Sequence, residues 1–244
     1  LPVQVVRATE VMSHRPCYRV TFSDNAQIVC DADHQWVTRD DKARQSAVNA
    51  ARSGRAVPRA VALRGTDQSY LRTFPSAKTT REIAGSVWAE NGLRANHSVA
   101  VAGPLMLGDA ELPIDPYVLG AWLGDGHSYW ANITCADQEI IDEIERRGHH
   151  CTKHSTRYEW GIANLKTPLR LAGLLQNKHV PERYFRASES QRLDLLRGLM
   201  DTDGHATRQG TCEFTSTNAE LAGAVLELVR SLGMVPTMST ERAR

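Results

Sequence analysis

Two decapeptides, Val118–His127 (VLGAWLGDGH) and Leu196–His205 (LRGLMDTDGH), repeat one pattern 78 residues apart. Gly120 matches Gly198, Asp125 matches Asp203, Gly126 matches Gly204 and His127 matches His205. The likeness runs on past the motif. NITCADQEIIDEIERRG reads as a strand, a cap at Asp137 and a helix stopped at Gly148, and CEFTSTNAELAGAVLELVRSLG reads the same way with Asn218 and Gly233. Such a period is too long for a solenoid, whose repeats span about 20–50 residues. It predicts a duplicated α/β half-domain with a pseudo-two-fold axis.

Val118–Leu123 and Leu196–Met200 read as apolar helices, each with a glycine inside. A mid-helix glycine costs about 1 kcal/mol relative to alanine, so the matched pair predicts helices packed backbone to backbone at Gly120 and Gly198. Gly126 and Gly204 are then expected as left-handed residues just past the helix ends. Asp125 and Asp203 would lie side by side at the two C-termini. There each opposes the helix dipole by about 0.3–1 kcal/mol and repels the other. A divalent cation between them, facing also the free carbonyls of Gly124 and Thr202, removes the mismatch. Hard oxygen donors suit Mg²⁺, with Mn²⁺ able to substitute, and such an ion at a phosphodiester activates water and stabilises the leaving oxygen.

VLGAWLGDG and LRGLMDTDG resemble the two copies of the LAGLIDADG motif in homing endonucleases of the DOD type. The resemblance implies a pseudo-symmetric monomer that lays a saddle of sheets along the major groove and cuts double-stranded DNA. Asp125 and Asp203 become its metal-binding acids. NKHVP (Asn177–Pro181) is similar to the family segment carrying a lysine near the scissile phosphate. Lys178 is thus a candidate for charge stabilisation or water activation, its other reading being a surface lysine beside a proline turn. Asp201 occupies the sixth motif position, where the first copy has Leu123, and is not counted among the acids. The alternatives are a protein of this fold that binds nucleic acid without cutting it, or a decayed insert. Retention of both acids favours cleavage.

The first hundred residues are of another kind. CYRVTF and QIVC read as strands joined by Ser23, Asp24 and Asn25, and QWVT as a third. Arg39–Arg64 is rich in Arg, Ala and Ser with weak periodicity. TTREIAGSVWAEN predicts a helix capped by Thr79 or Thr80 and stopped at Gly92, and NHSVAVAG a short strand. IVCDADHQWVT resembles the intein block in which a histidine protonates the leaving nitrogen at the upstream splice site. His34 is that histidine, followed by Thr38, while Asp31 stands where the usual threonine would be. Trp36 resembles the marker of class 3 inteins, which use an internal cysteine as nucleophile; a core tryptophan is its bland alternative. The wording of Arg7–Thr38 is most like inteins of actinobacterial replicative DNA helicases, although the chain has no GxxxxGK[ST].

The expected architecture is α/β plus all-β. A partial Hint-type splicing domain over residues 1–108, with a basic insert at 39–81, precedes a LAGLIDADG domain over 109–244 whose second half is truncated. The resemblance implies as partners a DNA target at the intein insertion site and flanking host segments. It also implies that both intein termini are missing here.

Net charge is +1, but residues 1–108 carry 14 basic and 9 acidic residues and Arg39–Arg81 ten against three. That strip faces either phosphates or water. Five scattered cysteines with no CxxC suit reduced thiols in a cytoplasm. No apolar run approaches the roughly 20 residues of a membrane span, and no signal-peptide pattern opens the chain. HHCTKH (His149, His150, Cys151, His154) lacks zinc-site spacing and reads as a polar strand edge. No local signature supports a Cys-His enzyme.

Overall fold

The structure, a computed structural model, describes residues 6–53, 76–90 and 92–241. The chain divides into two compact units, one of Val5–Val101 and a larger one beginning at Ala102.

In the first unit β1 (Cys17–Thr21) and β2 (Gln27–Asp31) form an antiparallel hairpin with Tyr18 opposite Cys30. Its turn uses the residues the sequence marks. Asn25 adopts φ 65° and Asp24 Oδ1 accepts the Ala26 N–H at 3.0 Å. Strand β3 (Gln35–Arg39) is the centre of a separate sheet, between β4 (Ser76–Thr79) and β5 (Ser98–Val99).

One element lacked a clear sequence signal, and another is shorter than expected. The Arg/Ala/Ser stretch begins with a helix, α1 (Asp41–Arg52). Its start is fixed by Asp40 Oδ1, which accepts the Ala43 N–H at 2.8 Å, and by Arg44, which donates to the carbonyls of Ala95 and Asn96. These partners lie about half the unit away in sequence, so no local pattern announced them. Residues 54–75 of the basic insert lie outside the described residues. The helix expected to reach Gly92 is only α2 (Thr80–Ala84), opened by a capping box between Thr79 and Glu82 and closed at Gly85. Beyond it the chain turns back on itself. The Asn96 N–H donates to the Val87 carbonyl and the Ala89 N–H to that of Arg94, and these bonds replace further helical turns.

The larger unit is built on the repeat. Helix α3 (Pro116–Asp125) starts with Asp115 accepting from the Tyr117 and Val118 N–H groups, and Pro116 occupies the first turn where its missing donor costs nothing. Every residue from Pro116 to Leu123 is buried, as befits a helix apolar on all sides. After β6 (Asn132–Thr134) comes α4 (Gln138–Arg146), which buries Ile140, Ile141 and Ile144 on one face. Strands β7 (Cys151–Lys153) and β8 (Glu159–Ile162) complete a sheet of order β6-β8-β7. Short helices α5 (Lys166–Leu171) and α6 (Glu182–Phe185) lead to α7 (Glu189–Asp203), the partner of α3. Strands β9 (Gly204–Ala206) and β10 (Cys212–Phe214) and helix α8 (Ala219–Ser231) repeat the first half.

The correspondence holds residue by residue. Gly126 bridges Ile133 and Gly204 pairs with Phe214. Asp137 and Asn218 cap α4 and α8, and Gly148 (φ 89°) and Gly233 (φ 79°) turn the chain after them. Residues 102–108, which the sequence pattern assigns to the first domain, bond within the larger unit. The Leu105 N–H donates to the Ser231 carbonyl at 2.9 Å. Arg192, with no exposed surface, donates to the carbonyls of Ala187, Ser231 and Leu105.

Candidate active site

The site begins with two glycines. A Cβ on Gly120 would lie 2.3 Å from the Leu195 carbonyl oxygen, and one on Gly198 would lie 2.2 Å from that of Tyr117. Both distances are impossible for a side chain, so α3 and α7 meet along backbone at the matched positions. Gly124 extends the seam. A Cβ there would sit 2.0 Å from Thr202 Oγ1 and 3.4 Å from Asp203 Oδ2, so the Asp203 carboxylate lies against the residue preceding Asp125.

Gly126 and Gly204 are not left-handed. Their φ/ψ angles are −73°/149° and −95°/157°, extended backbone that opens directly into strand pairing. What demands glycine is space: a Cβ would stand 2.2 Å from the Trp122 carbonyl or 2.3 Å from that of Met200. Each helix therefore passes into a strand with no intervening turn, and each aspartate sits at that junction.

The electrostatics follow from this placement. Burial, and then the charge of Asp203, raises the Asp125 pKa above the ordinary carboxylate value; burial raises that of Asp203. Lys178 opposes the rise in both. Its own pKa is lowered by burial, with the two carboxylates working against that change. Lys178 Nζ donates to the Gly124 carbonyl at 2.9 Å and lies 5.3 Å from the centre of the Trp122 ring. Its backbone is held in turn, since Asn218, the α8 cap, donates from Nδ2 to the Lys178 carbonyl at 3.0 Å.

Lys178 is thus no free surface lysine. The Gly124 carbonyl, expected to be free, already accepts the ammonium and has one lone pair left. Thr202 turns its hydroxyl back onto the Gly198 and Leu199 carbonyls. Asp201 accepts the Tyr117 hydroxyl at 2.8 Å instead of joining the pair. Trp122, read from sequence only as an apolar helix residue, supplies the ring beside Lys178, and nothing in the motif signals that role.

Among the described residues no group of three or more His, Cys, Asp or Glu side chains could hold a metal ion. HHCTKH accordingly forms no centre: Cys151 is buried in β7, and His154 overlies Gly161. A cation at the helix junctions would rest on two carboxylates with backbone and water oxygens. That oxygen-only set, with both acids paying for uncompensated charge, fits a hard divalent ion.

The residues singled out in the first unit lie together on and beside β3. His34 is exposed at its start, Trp36 is half-buried and Thr38 is buried. The His34 and Trp36 rings meet edge-on, 4.9 Å apart at 76°, and Thr38 Oγ1 donates to the Ser98 carbonyl at 3.1 Å. Asp31, in place of the usual threonine, is occupied by Arg15 at 2.6 Å and by the Asp33 N–H at 2.8 Å.

Residues 190–244 match the LAGLIDADG-like domain model. The matched stretch takes in Asp203 and α8 but not Asp125. Its whole length is 46% identical to the replicative DNA helicase DnaB of Mycobacterium intracellulare, covering 39% of that protein. A second relative, the replicative DNA helicase DnaB of Mycobacterium leprae, is 62% identical over 37 residues, which are 15% of this chain and 6% of that one. The chain thus spans about two-fifths of the longer-matching relative. A LAGLIDADG-like match inside a sequence that aligns along its whole length with a helicase-named protein supports an intein with a LAGLIDADG endonuclease. Among the described residues no helix is long and apolar enough to cross a membrane.

Proposed function

We propose that the chain is the endonuclease-bearing part of an intein in a replicative DNA helicase, cutting double-stranded DNA at the uninterrupted insertion site by metal-dependent phosphodiester hydrolysis. The observation that carries this reading is the pair of half-buried carboxylates at two interlocked helix ends, sharing one lysine. Asp125 and Asp203 would hold Mg²⁺, or Mn²⁺ in its place, with the Gly124 and Thr202 carbonyls beside them. Bound there, the cation would supply an activated water and charge stabilisation for the leaving oxygen.

The protein's own groups do the rest. The two acids must be ionised to hold a cation, so binding and proton release are linked. Lys178, kept in place by Gly124 and Asn218, puts positive charge where a phosphate would approach the acids. The domain acts as one pseudo-symmetric monomer in the cytoplasm, its sheets facing the major groove. In the first unit, a Hint-type block, His34, Trp36 and Thr38 serve splicing of the flanking helicase segments.

The test is a plasmid bearing the uninterrupted helicase-gene junction, incubated with the complete intein and Mg²⁺. Wild-type protein linearises it, and Asp203→Asn binds without cutting. Unchanged cutting by Asp203→Asn removes the metal assignment. Binding without cutting by the wild type puts the non-cleaving alternative in its place. For the first unit, His34→Ala in the full precursor blocks amino-terminal scission, and normal splicing discards the assignment.

A further inference from the structure

The first unit contains a saturated polar node 46 residues downstream of His34 in sequence. Thr80 opens α2 and is 2% exposed, yet its hydroxyl does not cap the helix, because Thr79 does. Trp36 Nε1 donates to Thr80 Oγ1 at 3.0 Å, a direction fixed by the indole having no acceptor. Thr80 Oγ1 donates to the His34 carbonyl at 3.3 Å, and the Thr80 N–H reaches the same oxygen at 3.0 Å. Cys30 Sγ lies 3.4 Å from the hydroxyl on its remaining side. The hydroxyl's one donor and one of its acceptor positions are in use, and the thiol faces the other.

We infer that Thr80 is a positioning residue for the splicing block: it fixes the Trp36 indole and the His34 backbone together, and so sets where the His34 ring points. The inference rests on the splicing reading above. The His34 ring makes no hydrogen bond among the described residues, so its surroundings are set by packing. Its ring contact is Trp36, and that indole also meets Phe22, 5.9 Å between ring centres. An indole free to rotate about its side-chain torsions would leave the imidazole without a wall. Thr38 offers the contrast. Its hydroxyl donates to the Ser98 carbonyl of the neighbouring strand, tying β3 into its sheet. Proton delivery by a histidine depends on the direction of its ring nitrogens, and Thr80 governs that direction through Trp36.

The test uses the full precursor containing this chain and follows amino-terminal scission. Thr80→Val keeps the shape and removes the hydroxyl; it slows scission by about tenfold or more, the scale of one lost buried hydrogen bond. Thr80→Ser keeps the hydroxyl and stays within about twofold of wild type. In a Trp36→Phe background the effect of Thr80→Val shrinks, because the Trp36 arm of its action is already gone and only the hydroxyl bond to the His34 carbonyl is left to lose. Replacing only the Trp36 N–H with sulfur, by a benzothienyl side chain, slows scission like Thr80→Val and carries the test if that variant does not fold. Wild-type scission with either the valine or the benzothienyl variant overturns the inference, as does an undiminished valine effect in the Trp36→Phe background. His34→Ala runs alongside: normal scission there removes the splicing reading itself, whereas blocked scission with a silent Thr80→Val removes only the positioning role.

Discussion

Replacing Gly198 by alanine is the sharpest test of the helix seam. The new methyl would stand 2.2 Å from the Tyr117 carbonyl oxygen, 2.7 Å from the Ala121 nitrogen and 3.1 Å from the Gly120 carbonyl carbon. All three are backbone atoms of α3 and none can rotate away. A carbon–oxygen contact settles near about 3.3 Å, so the helices must part by about 1 Å. Alanine gains about 1 kcal/mol of helix propensity over glycine, while overpacking costs about 1–3 kcal/mol and here meets rigid backbone. With contacts along the seam also lost, we expect a net destabilisation of about 1–3 kcal/mol. Urea unfolding would register it as a midpoint lower by about 1 M. Because Asp203 lies five residues further along the same helix, cleavage should fall by about a hundredfold, the penalty of a 1 Å misplacement. Gly223→Ala in α8 is the control. Its Cβ would meet nothing within 4 Å, so that change should stabilise by about 0.5–1 kcal/mol. A Gly198→Ala protein as stable as wild type would refute the reasoning, and so would a Gly223→Ala protein equally damaged.

Two other outcomes follow from buried polar groups. Arg192→Lys cannot reach the three carbonyls that the guanidinium fork serves, and should cost about 2–4 kcal/mol; a thermal melt shifted by less than a degree would contradict this. His97 Nδ1 is buried with no hydrogen-bond partner among the described residues, while Nε2 lies 2.9 Å from Ser86 Oγ. Burial, and then the charge of Lys78, hold the His97 pKa below its ordinary value, with Asp40 opposing. The unfolded chain therefore takes up a proton near pH about 6.5 that the folded chain refuses. The stability this residue contributes is complete above that pH and lost as pH falls toward the folded pKa. Urea midpoints of the first unit should decline between pH 6.5 and 5, and His97→Gln should remove that decline while leaving the carboxylate-driven loss at lower pH. An identical profile in the variant would show that another group titrates.

The duplicated domain was largely legible in the sequence, because its determinants are local and occur twice. Matched glycines told of close helix packing, and Asp137 and Asn218 told where helices begin, since a cap is recognised from its own few residues. The same local logic misjudged Gly126 and Gly204. A glycine after a helix ordinarily serves a left-handed turn, whereas here the need arises from carbonyls and side chains one turn back. Helix α1 and the early end of α2 were harder to read for a different reason: Asp40 caps α1 locally, but the ties of Arg44 to Ala95 and Asn96, and of Val87 and Ala89 to Asn96 and Arg94, join residues that no single helix window contains. In the candidate site, Asp125, Asp203 and Lys178 stood out by pattern. That Lys178 would hold a helix-end carbonyl, or that Trp36 would donate to Thr80, depended on partners 54 and 44 residues away.

On the proposed cleavage reading, the seam has a consequence for how the target could change. Where Gly120 and Gly198 interlock, the neighbours they exclude are main-chain atoms, and nearer the acids the seam is closed by Thr202 against Gly124, so the spacing is set within the two helices themselves. Residues on the strands can drift, or be redesigned, without a vote in that spacing. A new recognition surface could therefore be written one strand at a time while the cutting geometry passes on unaltered.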